Sequence, residues 1–222
     1  MERLNQFTLD IEFLIISVIQ AVVLGALGLE AGELLGHFDP VHWLYVAGSF
    51  LLILNFWSQA IIHAISFVDW PLDLPHNLLY FLASFIEVLI FFRLEDPQGW
   101  FLLTAAFFAV GGILYLADLR LIRQRKGRFT DSPARVRLYQ DIEGQQVSEL
   151  RIFVPIAVAF HLVAFGAIYL NPQLFIDGHW HVALIVLQIA AGLGFLIRSL
   201  HNFDRRSVLI TDSLNTGVAT GS

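Results

Sequence analysis

Long runs of apolar residues alternate with shorter polar stretches along the chain. Six such runs cover residues 11–29, 44–68, 77–92, 100–117, 152–170 and 180–200. Most of them are close to the roughly 20 residues that an α-helix needs to cross about 30 Å of hydrocarbon. The pattern therefore predicts an all-α polytopic membrane protein with a six-transmembrane-helix bundle. We expect one domain over residues 1–210 and a disordered tail over residues 211–222.

The basic residues are unevenly distributed between the two ends of these runs. When the runs are threaded alternately through a bilayer, 12 of the 13 Lys and Arg residues fall on one side, and Arg93 falls on the other. Basic connections favour the cytoplasmic side of a membrane. Both termini and the hydrophilic connection over residues 120–151 are therefore predicted to be cytoplasmic. This topology accounts for the basic residues, and the net charge of −6 gives no reason to expect a nucleic-acid partner.

Composition narrows the range of chemistry. The mean hydropathy of +0.69 and the 14% content of charged residues are those of a membrane protein. The chain contains no cysteine, which excludes disulfides, thiolate metal sites and a cysteine nucleophile. His-Glu-x-x-His, Gly-x-Ser-x-Gly and phosphate-binding Gly-rich motifs are also absent from the sequence. We therefore predict neither an enzyme nor a bound cofactor.

Polar residues recur at helical spacing inside two of the apolar runs. They are Asn55, Gln59 and His63 in the second run, and His76, Tyr80, Ser84 and Glu87 in the third. This spacing places side chains on one helical face, and polar groups are costly against lipid, so these faces should meet other helices, another subunit or water. An ionised Glu87 would need a partner such as His161 or His63. Both an interhelical hydrogen-bond network and a scaffold behind an ion path fit the pattern.

Acidic and histidine residues gather at the ends opposite to the basic ones. They are Glu30, Glu33, His37, Asp39, His42, Glu95, Asp96, Asp177, His179 and His181. Three interpretations are open: simple solvation of helix ends, a mouth that attracts cations through Glu30, Glu33, Glu95 and Asp96, and a metal site. For the metal site, the His-x-His spacing of His179 and His181 would suit zinc or a similar ion.

The start of the chain resembles a known channel family. Residues 3–10 read Arg-Leu-Asn-Gln-Phe-Thr-Leu-Asp. This stretch is similar to the Arg-x-x-x-Phe-Ser-Asp signature that opens the first helix of the endolysosomal-type potassium channels and their six-helix bacterial relatives. Arg3 and Phe7 have the signature spacing, Thr8 stands in place of Ser, and Asp10 lies one position beyond the family's Asp.

The second and third runs extend the resemblance to about the first 95 residues. Ser49-Phe50 is followed by an aliphatic run and Trp57, and the third run opens with Asn77-Leu78-Leu79, as in the family. The family's His three positions after the Trp is Ala60 here, and His63 follows one turn later.

The resemblance implies a potassium-like cation channel in a bacterial cytoplasmic (inner) membrane. In that family the first helix of each subunit lines a central pore, and bacterial members are tetramers. Carried over by position, Leu14 would form the constriction and Ser17 would follow it one turn later. The signature and its supporting network would comprise Arg3, Phe7, Thr8, Asp10, Trp57, His63, Asn77, Glu87 and His161.

Two other functional classes stay open beside the channel. The protein could be a non-conducting membrane scaffold or sensor subunit that acts through a protein partner at the cytoplasmic connection 120–151. An intramembrane or metal-dependent enzyme is the third class, and bound metal at His179 and His181 would favour it.

Overall fold

The computed structural model describes residues 2–37, 39–66, 74–126 and 133–219, with the side chains of all of these except residues 2–9, 12, 37 and 212–219. Seven α-helices occupy these segments, and no strand occurs in them. The helices are α1 (Glu2–Leu34), α2 (Pro40–Ser66), α3 (Leu74–Phe91), α4 (Pro97–Lys126), α5 (Pro133–Ser148), α6 (Val154–Leu170) and α7 (Trp180–Ala219). A π-helical segment, Glu149–Phe153, joins α5 to α6 without a break, and another, Gln173–Asp177, precedes α7.

Six stretches of the described chain are helical, long and apolar enough to cross a membrane. They are Phe13–Leu34, Pro40–Ser66, Leu74–Phe91, Pro97–Lys126, Pro133–Leu170 and Trp180–Thr211. Each overlaps one of the apolar runs seen in the sequence, and the backbone polar groups of a helical span are satisfied inside its own helix. The prediction of an all-α polytopic bundle is confirmed. The protein is an integral membrane protein whose spans are in contact with the lipid bilayer.

Aromatic residues form the most tightly buried part of the core, where α2 meets α4 and α7. Tyr45, Trp100 and Phe101 have no exposed surface. The Tyr45 ring meets the Trp100 ring edge to face, with centroids 5.2 Å apart. The Trp100 indole N–H donates to the Ser49 hydroxyl at 3.1 Å. The one polar atom of the buried Trp100 side chain therefore has a partner. This hydrogen bond fixes the register of α2 against α4.

Glycines allow close approach at two helix interfaces. A Cβ atom at Gly192 of α7 would lie 2.8 Å from Leu51 Cδ2 of α2, and one at Gly112 of α4 would lie 2.8 Å from Val154 Cγ1 of α6. Both distances are shorter than a normal carbon contact. Small residues at such crossings let membrane helices pack backbone against side chain, where van der Waals contact drives association.

The hydrophilic connection folds onto the bundle instead of lying apart from it. Ile122, Leu138, Tyr139 and Ile142 form a separate buried cluster in which α5 packs on α4, with Leu209 and Ile210 of α7 at its edge. Ion pairs surround this cluster: Glu143 accepts from Arg123 Nε and Lys126 Nζ, both at 2.9 Å, and Asp141 accepts from Arg206 Nε at 3.1 Å. The part of the connection that forms α5 is therefore docked on its own chain.

Helix α7 continues beyond the apolar run, through Ala219. The structure therefore has helix at residues 211–219, where the small polar composition predicts a disordered tail, and residues 220–222 lie outside the described part. Leu209 and Ile210 pack beside α5, so the helical end of α7 has tertiary support up to that point.

Candidate functional site

One face of α1 is left uncovered by the rest of the bundle. Ile16, Val23 and Leu27 are buried and pack α1 on its neighbours. Leu14, in contrast, is 63% exposed, and Ser17 is exposed as well. Because of the helical period, Leu14 and Ser17 lie on the opposite side of α1 from the packed residues. Residues that line a contact between subunits or face lipid have this position.

Small residues continue this uncovered face along α1. Gly25, Gly28 and Gly32 fall on the same helical stripe as Leu14 and Ser17. A Cβ atom built on any of these glycines meets nothing within 4 Å. Stripes of small residues let the backbones of two membrane helices approach closely.

The N-terminal signature is only partly visible. The side chains of Arg3, Phe7 and Thr8 lie outside the described residues, and Asp10 is exposed. Of the residues predicted to form the supporting network, Trp57 is 41% exposed and does not join the buried polar residues described next. Trp57 does not line the cavity to which His63, Asn77 and His161 all contribute.

Two histidines converge on a buried carboxylate between α2, α3 and α4. The His76 Nδ1 atom lies 2.7 Å from one oxygen of Asp118, and the His63 Nε2 atom lies 3.8 Å from the other. The Asp118 side chain is only 3% exposed. His63 also contacts Gln146 Oε1 at 3.1 Å, and the Gln146 amide donates to the Tyr115 carbonyl at 3.1 Å. This cluster ties the end of α5 to the transmembrane helices.

A cavity of about 360 Å³ extends from this cluster into the bundle. Helices α1 to α4, α6 and α7 all contribute to its wall. The predicted polar faces of α2 and α3 meet here, because Asn55, Gln59, His63, His76 and Tyr80 all line the cavity. The volume lies within the range of small-molecule sites in proteins, roughly 300–1,000 Å³.

Glu87 lies outside the cavity wall and is fully buried. Neither of its carboxyl oxygens makes a hydrogen bond to any described residue. The expected partner His161 uses Nδ1 for the Ala157 carbonyl at 2.6 Å, and His63 contacts Gln146 and Asp118. Neither His161 nor His63 makes a hydrogen bond to Glu87 among the described side chains, so an ionised Glu87 would lack a partner there. Of the predicted polar face of α3, His76 and Tyr80 line the cavity. Ser84 and Glu87 lie further along the helix and outside the cavity wall.

The acidic ends are solvated or used as helix caps. Glu33 and Glu95 are exposed, and Glu30 is partly exposed. Asp96 accepts from the Gly99 backbone N–H at 3.0 Å and from Arg93 Nη1 at 3.4 Å, and it thereby caps the first turn of α4. A cap of this kind does not prevent the carboxylate from adding to the negative potential at that end.

The two candidate metal ligands differ in exposure and contacts, although their ring centroids lie 6.1 Å apart. His181 is buried, and its Nδ1 atom lies 2.9 Å from the Tyr45 hydroxyl. His179 is exposed and has a positive φ of 57°. Within the described segments, no group of three or more His, Cys, Asp or Glu side chains could hold a metal ion. His181 instead joins α7 to α2.

The comparisons with known proteins give no relative. No family model, no curated protein and no solved structure matches the chain. The resemblance to the potassium-channel family therefore stays a prediction, and any function must be argued from the chain's own geometry.

Asp118 is the functional candidate that sequence reasoning misses. It stands one residue beyond the fourth apolar run and just before Arg120, where an acid at a helix end is unremarkable. The pairing with His76 spans 42 positions in the sequence and has no local pattern. The one available signal is that Asp118 is the first acid after an apolar run that otherwise leads into basic residues.

Proposed function

We propose that the protein is a cation channel, potassium-like in its selectivity, that assembles from several copies around the uncovered face of α1. The observation that carries the proposal is this face itself: the bundle buries Ile16, Val23 and Leu27 but leaves Leu14 and Ser17 outside. A second copy packed along the glycine stripe would bring the α1 helices together. The sequence resemblance supports the same arrangement and favours a tetramer.

The residues on this face have the chemistry of a simple hydrophobic gate. A ring of Leu14 side chains would exclude water at its narrowest point, and Ser17 would offer hydroxyl oxygens one turn further along. The exposed acids Glu33 and Glu95 would raise the local concentration of cations at the opposite end. With both termini cytoplasmic, as the basic residues favour, this acidic mouth faces away from the cytoplasm. We place the channel in a bacterial inner membrane.

The alternative is a scaffold or sensor that recruits a protein through the connection 120–151. Its apolar residues Leu138, Tyr139 and Ile142 are already buried against the protein's own helices. A partner would then have to bind the charged outer surface. This packing is the reason to prefer the channel.

Flux measurements on purified protein in liposomes test the proposal. We expect potassium flux from the wild type, increased leak from Leu14→Asn because a polar ring holds water, and increased or less selective flux from Leu14→Ala. Leu78→Asn is a matched control, since Leu78 on α3 is 67% exposed, lies near the same end of its span and faces away from the core.

Leu103 would be a poorer control, because it packs against the core cluster. A well-reconstituted protein that passes no cations across a wide range of pH and voltage, and stays silent as Leu14→Asn, would contradict the channel. Equal leak from Leu14→Asn and Leu78→Asn would show that the Leu14 face has no special role.

A further inference from the structure

The described residues of the cavity wall include one carboxylate, which lies beside two histidines. Asp118 is the single acidic residue among the described residues that line it, and no Lys or Arg lines it. The other titratable side chains of the wall are His63, His76, His161 and the two tyrosines, Tyr80 and Tyr115. His76 Nδ1 already lies 2.7 Å from one Asp118 oxygen, whereas the nearest printed partner of the second oxygen is His63 Nε2 at 3.8 Å. A ligand that carries positive charge or strong hydrogen-bond donors would compensate the lost hydration at that second oxygen.

Aromatic rings form much of the remaining wall. They belong to Phe56, Tyr80, Phe107, Phe108, Tyr115, Phe153, Phe160 and Phe195. Aromatic faces attract cations, and aromatic-lined sites are a common solution for binding organic ammonium groups. The same rings provide apolar surface for a hydrocarbon body. The wall thus combines a cation-binding end with a lining suited to an alkyl chain.

Unused acceptors strengthen the argument for a donor. The Asn55 amide nitrogen donates to the carbonyls of Leu51 at 2.9 Å and Gly192 at 3.2 Å, so its oxygen is the free acceptor. The oxygen atoms of Asn55 and Gln188, both on cavity-lining residues, make no well-formed hydrogen bond to the described residues, although the Gln188 side chain interacts with His161. A ligand with N–H groups supplies what these oxygens lack.

The cavity reaches the surface that faces the bilayer. Ile156 on α6 and Leu187 on α7 both line the cavity, yet they are 63% and 57% exposed. Both lie in apolar parts of membrane spans. A ligand that enters between α6 and α7 must therefore come from the lipid phase.

We infer that the cavity binds a lipophilic amine from the membrane, with its ammonium group at the Asp118 end and its hydrocarbon body along the aromatic wall. The inference concerns the interior of a single subunit and is independent of the proposed pore along α1. An acyl chain of an ordinary bilayer lipid is the competing occupant, and it would show no preference for a head group.

Photolabelling of the full-length protein in lipid nanodiscs tests the site. The probe is a dodecylamine that carries a diazirine on its alkyl chain, and the labelled peptides are located by mass spectrometry. Dodecylamine, dodecanol and dodecanoic acid are the competitors. In the wild type we expect labelling of cavity-lining segments on α4, α6 and α7, and competition by dodecylamine that is stronger than by either other compound.

Two variants test separately the charge of Asp118 and the free volume of the cavity. Asp118→Asn should weaken competition by dodecylamine about ten-fold, the equivalent of about 1.4 kcal/mol, and should leave dodecanol unchanged. Comparing each competitor between the two proteins removes differences in membrane partitioning. Gly111→Leu should fill the cavity and abolish labelling, since Gly111 lines it and a Cβ there meets nothing within 4 Å. Gly166→Leu, an equally open position outside the cavity wall, should label like the wild type.

Each other outcome overturns the inference in a specific way. Equal competition by all three compounds identifies an acyl-chain cavity, and strongest competition by dodecanoic acid reverses the assigned charge preference. Labelling that survives Gly111→Leu places the amine elsewhere. If Asp118→Asn does not fold, the wild-type competition series and the Gly111→Leu comparison still decide the question.

Discussion

The buried Glu87 gives the sharpest test of how this bundle is held together. Its side chain has no exposed surface, and neither carboxyl oxygen has a hydrogen-bond partner among the described residues. A buried polar group left without a partner costs about 1–3 kcal/mol relative to one that is satisfied. Leucine is close to glutamate in size, so it can fill the same space without that cost.

Glu87→Leu should therefore raise the free energy of unfolding by about 1–3 kcal/mol. Glu87→Gln keeps two unpartnered polar atoms in the same space, so its free energy of unfolding should stay close to that of the wild type. Glu143→Leu is the contrasting control, because that carboxylate is paired with Arg123 and Lys126, each at 2.9 Å, and is 20% exposed. Its loss should lower stability by roughly 0.5–1 kcal/mol.

The assay is unfolding of purified protein from mixed micelles as the fraction of denaturing detergent is increased, followed by circular dichroism. A rise in midpoint for Glu87→Leu and a fall for Glu143→Leu would agree with the reasoning. A lower midpoint for Glu87→Leu, with Glu87→Gln unchanged, would refute it, because Glu87 would then hold a partner through hydrogen bonds that an amide can replace and a methyl group cannot.

Two further predictions concern topology and packing. Single cysteines at Gln98 and Gly178 of this cysteine-free chain should react with an impermeant thiol reagent on intact cells, whereas one at Ser132 should not; equal labelling of all three would contradict cytoplasmic termini. Gly192→Leu should destabilise the protein by about 1–3 kcal/mol, since its Cβ would lie 2.8 Å from Leu51 Cδ2. Gly166→Leu, at a position where a Cβ meets nothing within 4 Å, should have no such effect in the same unfolding assay. Equal losses of stability in the two variants would argue against close packing at Gly192.

The sequence predicts the membrane spans well because the bilayer imposes a local rule. A helical segment that crosses hydrocarbon must be largely apolar over a fixed length, so the six runs can be located without knowing any tertiary contact. Helical period is also local, and the prediction that Asn55, Gln59 and His63 share a face is confirmed by their common place in the cavity wall. These features require only the order of residues within one helix.

Pairings between helices are not encoded in that local way. His76 lies 42 residues from Asp118, and nothing in either segment distinguishes this partner from the many other polar residues at helix ends. The same limit applies to Glu87, because the sequence offers polar residues such as His161 and His63 on other helices and does not say which of them lies beside it. It also explains α5, whose mixed composition suits a bilayer-surface helix as well as one docked on α4 and α7.

The docking of α5 has a mechanical consequence for any function of the bundle. Gln146 near the end of α5 contacts His63 of α2, and His63 faces the carboxylate that His76 of α3 also holds. The π-helical segment Glu149–Phe153 connects α5 to α6 without a break, and its last residue, Phe153, stacks on Phe195 of α7 at 4.0 Å between ring centroids. A change in the position of α5 would therefore alter the contacts of the Asp118 cluster and those of the cavity wall formed by α6 and α7. Because those elements surround the cavity, a ligand bound there and a displacement of α5 would act on the same set of contacts.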